Sequence, residues 1–307
     1  ERISKRVALN ENGRGCDLFI RAEKGKMFLM HTILKKERLS ELIWRYRIEA
    51  PHIAKKRQAG QFVIVRVESD GERVPLTIAD ADANEGWIEL IVQAAGHTTQ
   101  KMSQLKEGDV ILDLVGPLGH PTEIKKYGRC LCVGGGVGVA ALYPIVSALK
   151  AAKNEVTTII GARNQNLLLL ETALAKVSDR LLIATDDGSK GQHGFVSDVF
   201  KKLQAQGEHF DFAIIVGPVM MMKVTSDLTV AAGIKTLVSL NPIMIDGTGM
   251  CGGCRVCVNN EIKFACVDGP EFDASGVDWN TVIQRLNAYH DFEKKHQCQL
   301  NGLPNDG

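Results

Sequence analysis

A chain of 307 residues, 45% hydrophobic and 24% charged with a formal net charge of +1, is long enough for about two domains and a small third. Its near-neutral balance gives no electrostatic case for binding nucleic acid or an anionic membrane, and no apolar run approaches the roughly 18 residues needed to cross a bilayer. The polar first residues read unlike a secretory leader. Eight cysteines, four of them between 251 and 266, suit metal ligation in a reducing compartment better than a disulfide framework, so a cytoplasmic protein is expected.

Residues 1–26 mix charge and glycine, as in Asn10-Glu11-Asn12-Gly13-Arg14-Gly15, with no apolar period; they read as an extension, and Cys16 as an incidental thiol. A first domain is expected over 27–124. Short runs at 28–34, 41–48, 61–67 and 87–92, several alternating with period two and separated by turn signals at Gly60 and Asp70-Gly71, predict a small antiparallel barrel. Two interruptions carry chemistry. One is Glu72-Arg73-Val74-Pro75-Leu76-Thr77-Ile78. The other is Ala95-Gly96-His97-Thr98-Thr99, where two hydroxyl residues open a short helix over 98–105. Free N–H groups at a helix start bind phosphate well, although Thr98 and Thr99 also serve as plain caps and Arg73 as a solvated surface charge.

From Gly128 the period changes. Strands at 130–133, 156–161, 181–185, 212–216 and 235–240 alternate with helices at 140–150, 166–177, 194–204 and 220–230, which predicts a doubly wound parallel sheet over 125–240. Gly134 and Gly135 lead into Gly136-x-Gly138-x-x-Ala141, a G-x-G-x-x-G/A fingerprint in the strand-to-helix context it requires. The second strand ends in Gly161-Ala162-Arg163, where the usual scheme places an acid for the ribose. This is a nucleotide loop outside that scheme, with Arg163 suited to a phosphate. Other strand ends carry Asp186-Asp187-Gly188-Ser189 and Gly217-Pro218, and Met220, Met221 and Met222 read as core packing.

A metal-binding segment is expected over 241–275. Cys251 and Cys254 bring two thiolates into one tight loop, Gly247, Gly249, Gly252 and Gly253 permit its backbone, and Cys266 supplies a distant ligand. Plant-type [2Fe-2S] ligation runs C-x4-C-x2-C and then a far cysteine, and Asp246 occupies the first of those positions. Spacing favours iron–sulfur over a zinc knot of Cys251, Cys254, Cys257 and Cys266, because three ligands within seven residues is not the usual pair of zinc arms. Cys257 is then a spare thiol or the true fourth ligand. Over 276–307, a helix at 278–292 carries Val282, Ile283, Leu286 and Tyr289 on one face, and a polar tail follows.

Barrel, nucleotide-binding α/β domain and iron–sulfur loop, in that order, resemble the ferredoxin-reductase superfamily. From Met27 to about residue 275 the chain is similar to the dihydroorotate dehydrogenase electron-transfer subunit group. Within it the chain most resembles the small-subunit branch of NADH-dependent ferredoxin:NADP+ oxidoreductases, also called sulfide dehydrogenase small subunits. The match is carried by 72–80, Gly134 to Ala141, Val238-Ser239-Leu240-Asn241-Pro242-Ile243-Met244, and Asp246 to Cys254 with Cys266.

The resemblance implies FAD on the barrel, contacted by Arg73, Pro75, Leu76 and Thr77, with Gly96, Thr98 and Thr99 near its pyrophosphate. It implies NAD(H) over the α/β domain, with Gly136 and Gly138 near phosphate and Asp186, Asp187, Gly217 and Pro218 lining the cleft. It also implies a [2Fe-2S] cluster on Asp246, Cys251, Cys254 and Cys266, whereas the dihydroorotate branch has cysteine at the position of Asp246. Two departures stand out: Arg-Val-Pro-Leu-Thr replaces the superfamily's Arg-x-Tyr-Ser, and Val216-Gly217-Pro218 replaces its Cys-Gly-Pro. The implied activity is hydride transfer between NADH and FAD and single-electron exchange with a larger, glutamate-synthase-small-subunit-like partner. That partner carries a second flavin and [4Fe-4S] clusters, and the pair bifurcates electrons among NADH, ferredoxin and NADPH. The alternatives are an electron-transfer subunit of dihydroorotate dehydrogenase, a hydrogenase or another bifurcating complex, and a non-catalytic, zinc-stabilised nucleotide-binding module.

Overall fold

The computed structural model describes residues 31–288 throughout and, before them, the backbone of three strands. These are β1 (Ile3–Ala8), β2 (Asp17–Glu23) and β3 (Lys26–Leu29), which pair antiparallel in the segment read largely as an extension. Cys16, the expected helix beyond residue 288 and the polar tail lie outside the described residues.

The barrel is one antiparallel sheet. In chain order it holds β4 (His31–Arg38), β5 (Ile43–Glu49), helix α1 (Pro51–Lys56), β6 (Phe62–Arg66), β7 (Val74–Asp82), β8 (Trp87–Gln93), helix α2 (His97–Gln104), β9 (Val110–Ile111) and β10 (Asp113–Leu118). The spatial order β10-β6-β7-β8-β5-β4-β9 places at its two ends strands separated in sequence by Leu112 alone, so the sheet curls almost closed. Tyr46, Ile48, Val63, Val65, Ile78, Ile88, Leu90 and Met102 fill it. The Tyr46 hydroxyl donates to the Met102 carbonyl at 2.9 Å inside this core, which pins α2 across the barrel. The stretch Glu72 to Ile78, treated in the sequence as a break, runs from its third residue into a full strand, Val74–Asp82. Its residues are mostly half-buried and so do not alternate cleanly.

The second sheet holds β11 (Arg129–Gly135), α3 (Gly138–Ala151), β12 (Glu155–Ala162), α4 (Glu171–Val177), β13 (Arg180–Thr185), β14 (Gln192–His193), α5 (Val196–Ala205), β15 (Phe212–Val216), α6 (Val219–Ala231) and β16 (Lys235–Ser239). All these strands are parallel, in the order β14-β13-β12-β11-β15-β16. The central β11 and β15 are buried on both faces, which is why they read as unbroken apolar runs. Helix α4 is shorter than the expected 166–177. A 3-10 turn at Gln165–Leu167 precedes it, and Leu170 at φ 53° cannot continue a right-handed helix.

After β16 the chain leaves the sheet, forms the hairpin of β17 (Arg255–Val258) and β18 (Glu261–Phe264), and returns as β19 (Glu271–Asp273), antiparallel to β16. The hairpin turns on Asn259-Asn260, both at positive φ, the combination a two-residue turn of matching twist requires. Helix α7 (Trp279–Asn287) then packs on β17; Asp278 caps it by accepting the N–H groups of Asn280 and Thr281. Two contacts lock the parts together. Ala79, Ile43 and Ile91 of the barrel pack with Val139, Ala140 and Leu142 of α3. Phe62 and Ile64 of β6 share a core with Cys254, Val256, Cys266 and Phe272.

Candidate functional site

The loop from Asp246 to Cys254 is shaped by its glycines and its carboxylate. Asp246 accepts the N–H of Thr248 at 3.0 Å and of Cys251 at 2.9 Å, and these N–H groups hold its carboxyl below the ordinary value. Gly247 sits at φ 77°, and a β-carbon there would lie 2.6 Å from Leu118 and 3.0 Å from Ile64, so the loop backbone rests directly on barrel strands β6 and β10. Arg285 of α7 donates to the Gly253 carbonyl at 2.9 Å and ties the loop from the other side.

Cys254 and Cys266 are buried, with their Sγ atoms 3.2 Å apart and both thiols free. The Cys266 N–H points at the Cys254 sulfur at 3.4 Å and the Gly253 N–H at the Cys251 sulfur at 3.5 Å. Burial, then the contact with Cys254, pushes the Cys266 thiol up to about 12. Such a thiol is a thiolate near neutral pH only when a cation holds it. Cys251 is exposed at the loop tip. Among the described residues no group of three or more such side chains is gathered to metal-binding distance; Cys254 and Cys266 are in contact, while Asp246 and Cys251 flank them on one loop.

Cys257 is placed differently. In β17 Val256 and Val258 are buried, and Cys257 alternates to the opposite face with exposed Arg255 and, across the hairpin, exposed Ile262. An oxygen, three sulfurs and N–H donors on two of those sulfurs fit iron–sulfur ligation.

On the barrel, Pro75, Leu76 and Thr77 lie half-buried on β7, paired with Ile64, Val63 and Phe62 of β6. Arg73 is exposed just before them, 3.5 Å from Asp113, which also pairs with Arg66 at 2.5 Å. Gly96 caps α2. Thr99 spends its hydroxyl locally, accepting the N–H groups of Ala95 and Gly96 and donating to the Gly96 carbonyl. Thr98 differs: its Oγ1 is buried and has no partner among the described residues. An orphan hydroxyl in the first turn of a helix fits a phosphate-bearing cofactor.

A cavity of about 530 Å³ opens at the carboxyl ends of the parallel strands, between them and barrel residues Ile43 and Gln93. Of the residues expected there, Gly136, Arg163, Asp186 and Pro218 line it. The others are used for packing or turns. A β-carbon on Gly134 would meet Leu142 and Val139 of α3, and one on Gly138 would lie 2.7 Å from the Gly217 Cα, so those glycines bring helix and loop close. Asp187 is exposed and accepts the Ser189 N–H at 2.9 Å.

The methionines depart from the expectation. Met222 is buried, but Met220 and Met221 line the cavity, because the first turn of α6 starts at the strand ends. The sequence reading missed Phe195, 62% exposed on the cavity wall, and Thr225, whose buried Oγ1 has no partner among the described residues. Phe195 did leave a signal: an aromatic occupies the N-cap of α5, where a polar residue is usual.

Two families match parts of the chain: the iron–sulfur cluster binding domain of dihydroorotate dehydrogenase B over residues 241–278, and the oxidoreductase FAD-binding domain over 30–122. The chain is 48% identical over 86% of its length, and 93% of the relative's, to a dihydroorotate dehydrogenase B (NAD(+)) electron transfer subunit homolog from Thermotoga maritima. To the electron transfer subunit of that enzyme in Fusobacterium nucleatum it is 32% identical over 80% of this chain and 97% of the other. Among solved structures it matches a chain of the NADH-dependent reduced ferredoxin-NADP oxidoreductase, studied for flavin-based electron bifurcation. That match has a TM-score of 0.84 and 46% identity over 91% of this chain and 99% of that one. The cytochrome b5 reductase domain of Ulva prolifera nitrate reductase shares the fold at 16% identity and a TM-score of 0.56, over 67% of this chain and 93% of that one.

Proposed function

The chain belongs to the dihydroorotate dehydrogenase B electron-transfer subunit family of flavoprotein oxidoreductases, with an FAD-binding barrel and an iron–sulfur domain, and from that premise we propose that it oxidises NADH and delivers single electrons to a larger subunit, in a bifurcating NADH-dependent ferredoxin:NADP+ oxidoreductase. The observation that carries this reading is the seating of the Asp246–Cys254 loop, through Gly247, on the strand that pairs with Pro75, Leu76 and Thr77.

FAD, when bound, supplies the exchange between a hydride and single electrons. The chain's own residues position and tune. The start of α2, with Thr98, would hold the FAD pyrophosphate, and Pro75, Leu76 and Thr77 of β7 would contact the flavin. The cavity at the strand ends would take NAD(H), with Gly136 and Arg163 available to its phosphates and barrel residues Ile43 and Gln93 on the facing wall. Asp186 favours a ribose hydroxyl and so NADH, while Arg163 gives a phosphate a foothold. Asp246, Cys251, Cys254 and Cys266 would hold a [2Fe-2S] cluster, and the N–H groups of Cys266 and Gly253 would stabilise thiolate charge on their sulfur partners. Beside the exposed Cys251, its chain neighbour Met250 (89%) and Ile245 (50%) present an apolar rim suited to a partner subunit.

Iron and flavin analysis of the purified chain, with the reduced electron paramagnetic resonance spectrum, tests the proposal: about two iron atoms, one FAD and a [2Fe-2S] signal are expected. A colourless protein containing zinc would overturn it. The names of the relatives favour dihydroorotate dehydrogenase as the second reading. NADH-dependent dihydroorotate formation by the co-purified complex would establish that partner instead.

A further inference from the structure

We propose that Glu271 is the proton acceptor coupled to reduction of the cluster held by the segment before it: the cluster would gain one electron, given up by NADH through the flavin, and the Glu271 carboxylate would take one proton from solvent. The inference rests on the iron–sulfur reading above and adds to it a residue outside the ligand set.

Glu271 opens β19 five positions after Cys266, and the chain between them is tightly folded. The N–H groups of Val267 and Asp268 both bond the Phe264 carbonyl, and the Leu240 N–H bonds the Pro270 carbonyl. Its carboxylate reaches out of the sheet edge to the barrel. Oε1 accepts the Thr122 hydroxyl at 2.6 Å and packs against Gly60, where a β-carbon would lie 2.8 Å away. Gly60 leads into β6, the strand that bears on the cluster loop through Ile64 and pairs with Pro75, Leu76 and Thr77. The carboxyl therefore stands where the cluster segment, the flavin barrel and the parallel sheet meet.

Among the described residues no cation neutralises it. From the barrel it faces Gly60 and then Gln61, whose amide donates to the Gly119 carbonyl. From β16 its cross-strand neighbour is Ser239. From the connecting segment come Thr122 and the Tyr127 phenol, which is raised to about 12 by burial first, then by Glu123, with a smaller part from Glu271. Lys125 is paired with Glu123. Among the described residues no lysine, arginine or histidine pairs with Glu271.

Burial, opposed only by the Thr122 hydroxyl, raises the Glu271 carboxyl to about 7. An unpaired carboxyl poised near neutrality changes its proton occupancy when a negative charge is added nearby. Each electron placed on the cluster strengthens proton binding at Glu271, and by linkage each proton bound there makes the cluster easier to reduce.

The test is a potentiometric titration of the cluster followed by electron paramagnetic resonance, on the intact wild-type chain and on Glu271→Gln, across neutral and mildly alkaline pH. Iron content and the wild-type signal come first, because their absence overturns the cluster reading itself. With the cluster present, the wild-type potential falls as pH rises and that of Glu271→Gln is independent of pH; equal slopes in the two overturn the proposal. Should Glu271→Gln not fold, Thr122→Val decides. Losing the hydroxyl that favours the ionised form moves the pH-dependent window to higher pH, and an unmoved window overturns it.

Discussion

The sulfurs of Cys254 and Cys266 meet at 3.2 Å across a hairpin that begins just after one cysteine and ends just before the other. The β17–β18 ladder sets that approach. Substituting either residue by serine is expected to abolish the cluster, read as iron near zero and no reduced signal. Cys257→Ser, on the other face of β17, keeps both. Asp246→Cys keeps iron but alters the spectrum and potential, since a thiolate replaces a carboxylate. Loss of iron in Cys257→Ser alone would make Cys257 the ligand.

Gly247→Ala carries two penalties at once, a positive φ and a β-carbon 2.6 Å from Leu118. A loss of about 2–4 kcal/mol is expected, combining backbone strain with overpacking. Because the clash lies between loop and barrel, iron content should fall together with Tm. Full iron occupancy at an unchanged Tm would contradict the seating of the loop on β6 and β10.

Much of this architecture is legible in the chain itself, because local patterns report local structure. The strand-to-helix passage at Gly134–Ala141 and the β-α alternation after it depend on neighbouring residues, and they point to the parallel sheet. Strand β9 at Val110–Ile111 and strand β14 at Gln192–His193 are too short to show a period, yet β9 is what lets the barrel curl towards closure. Nothing near Glu271 announces that it joins an edge distant in sequence, since β19 has three residues and its partner is set by tertiary packing. The same limit hid Thr225. A threonine inside a helix looks ordinary until the neighbouring elements leave its hydroxyl facing a cavity.

Asp186 and Arg163 stand on one cavity wall at the ends of adjacent strands. Asp186→Ser is expected to raise the KM for NADH about tenfold and narrow the preference over NADPH, with kcat little changed. Arg163→Ala should weaken NADPH more than NADH. Steady-state kinetics with both nucleotides checks the pair, and an unaltered ratio in both variants would remove these residues from nucleotide selection.

Removing the Tyr46 hydroxyl leaves the Met102 carbonyl without its donor inside the barrel. Tyr46→Phe should cost about 1–3 kcal/mol in denaturant unfolding. Because that bond pins α2, FAD should also dissociate more readily, measured by the flavin retained after dialysis.

Glu271 also sets a pH dependence of stability. Its folded value of about 7 lies above that of an unfolded glutamate, so the folded state holds the extra proton between roughly pH 4.5 and 7. That contribution is fully present below the window and is lost as pH rises through it, a change of about 1–3 kcal/mol. Wild-type Tm should fall relative to Glu271→Gln between mildly acidic and neutral pH; parallel curves would mean that the carboxyl titrates normally.

Ser239 and Glu271 are cross-strand neighbours. Everything between them leaves and rejoins the sheet at a single place, with its two ends roughly 5 Å apart. The metal-binding stretch is thus a cassette plugged into one socket. A reductase lacking it could accept it without reordering any parallel strand, and a short turn in its place would leave the cavity at the strand ends intact. An evolutionary gain of one-electron wiring then requires a single insertion at one edge, not a new fold.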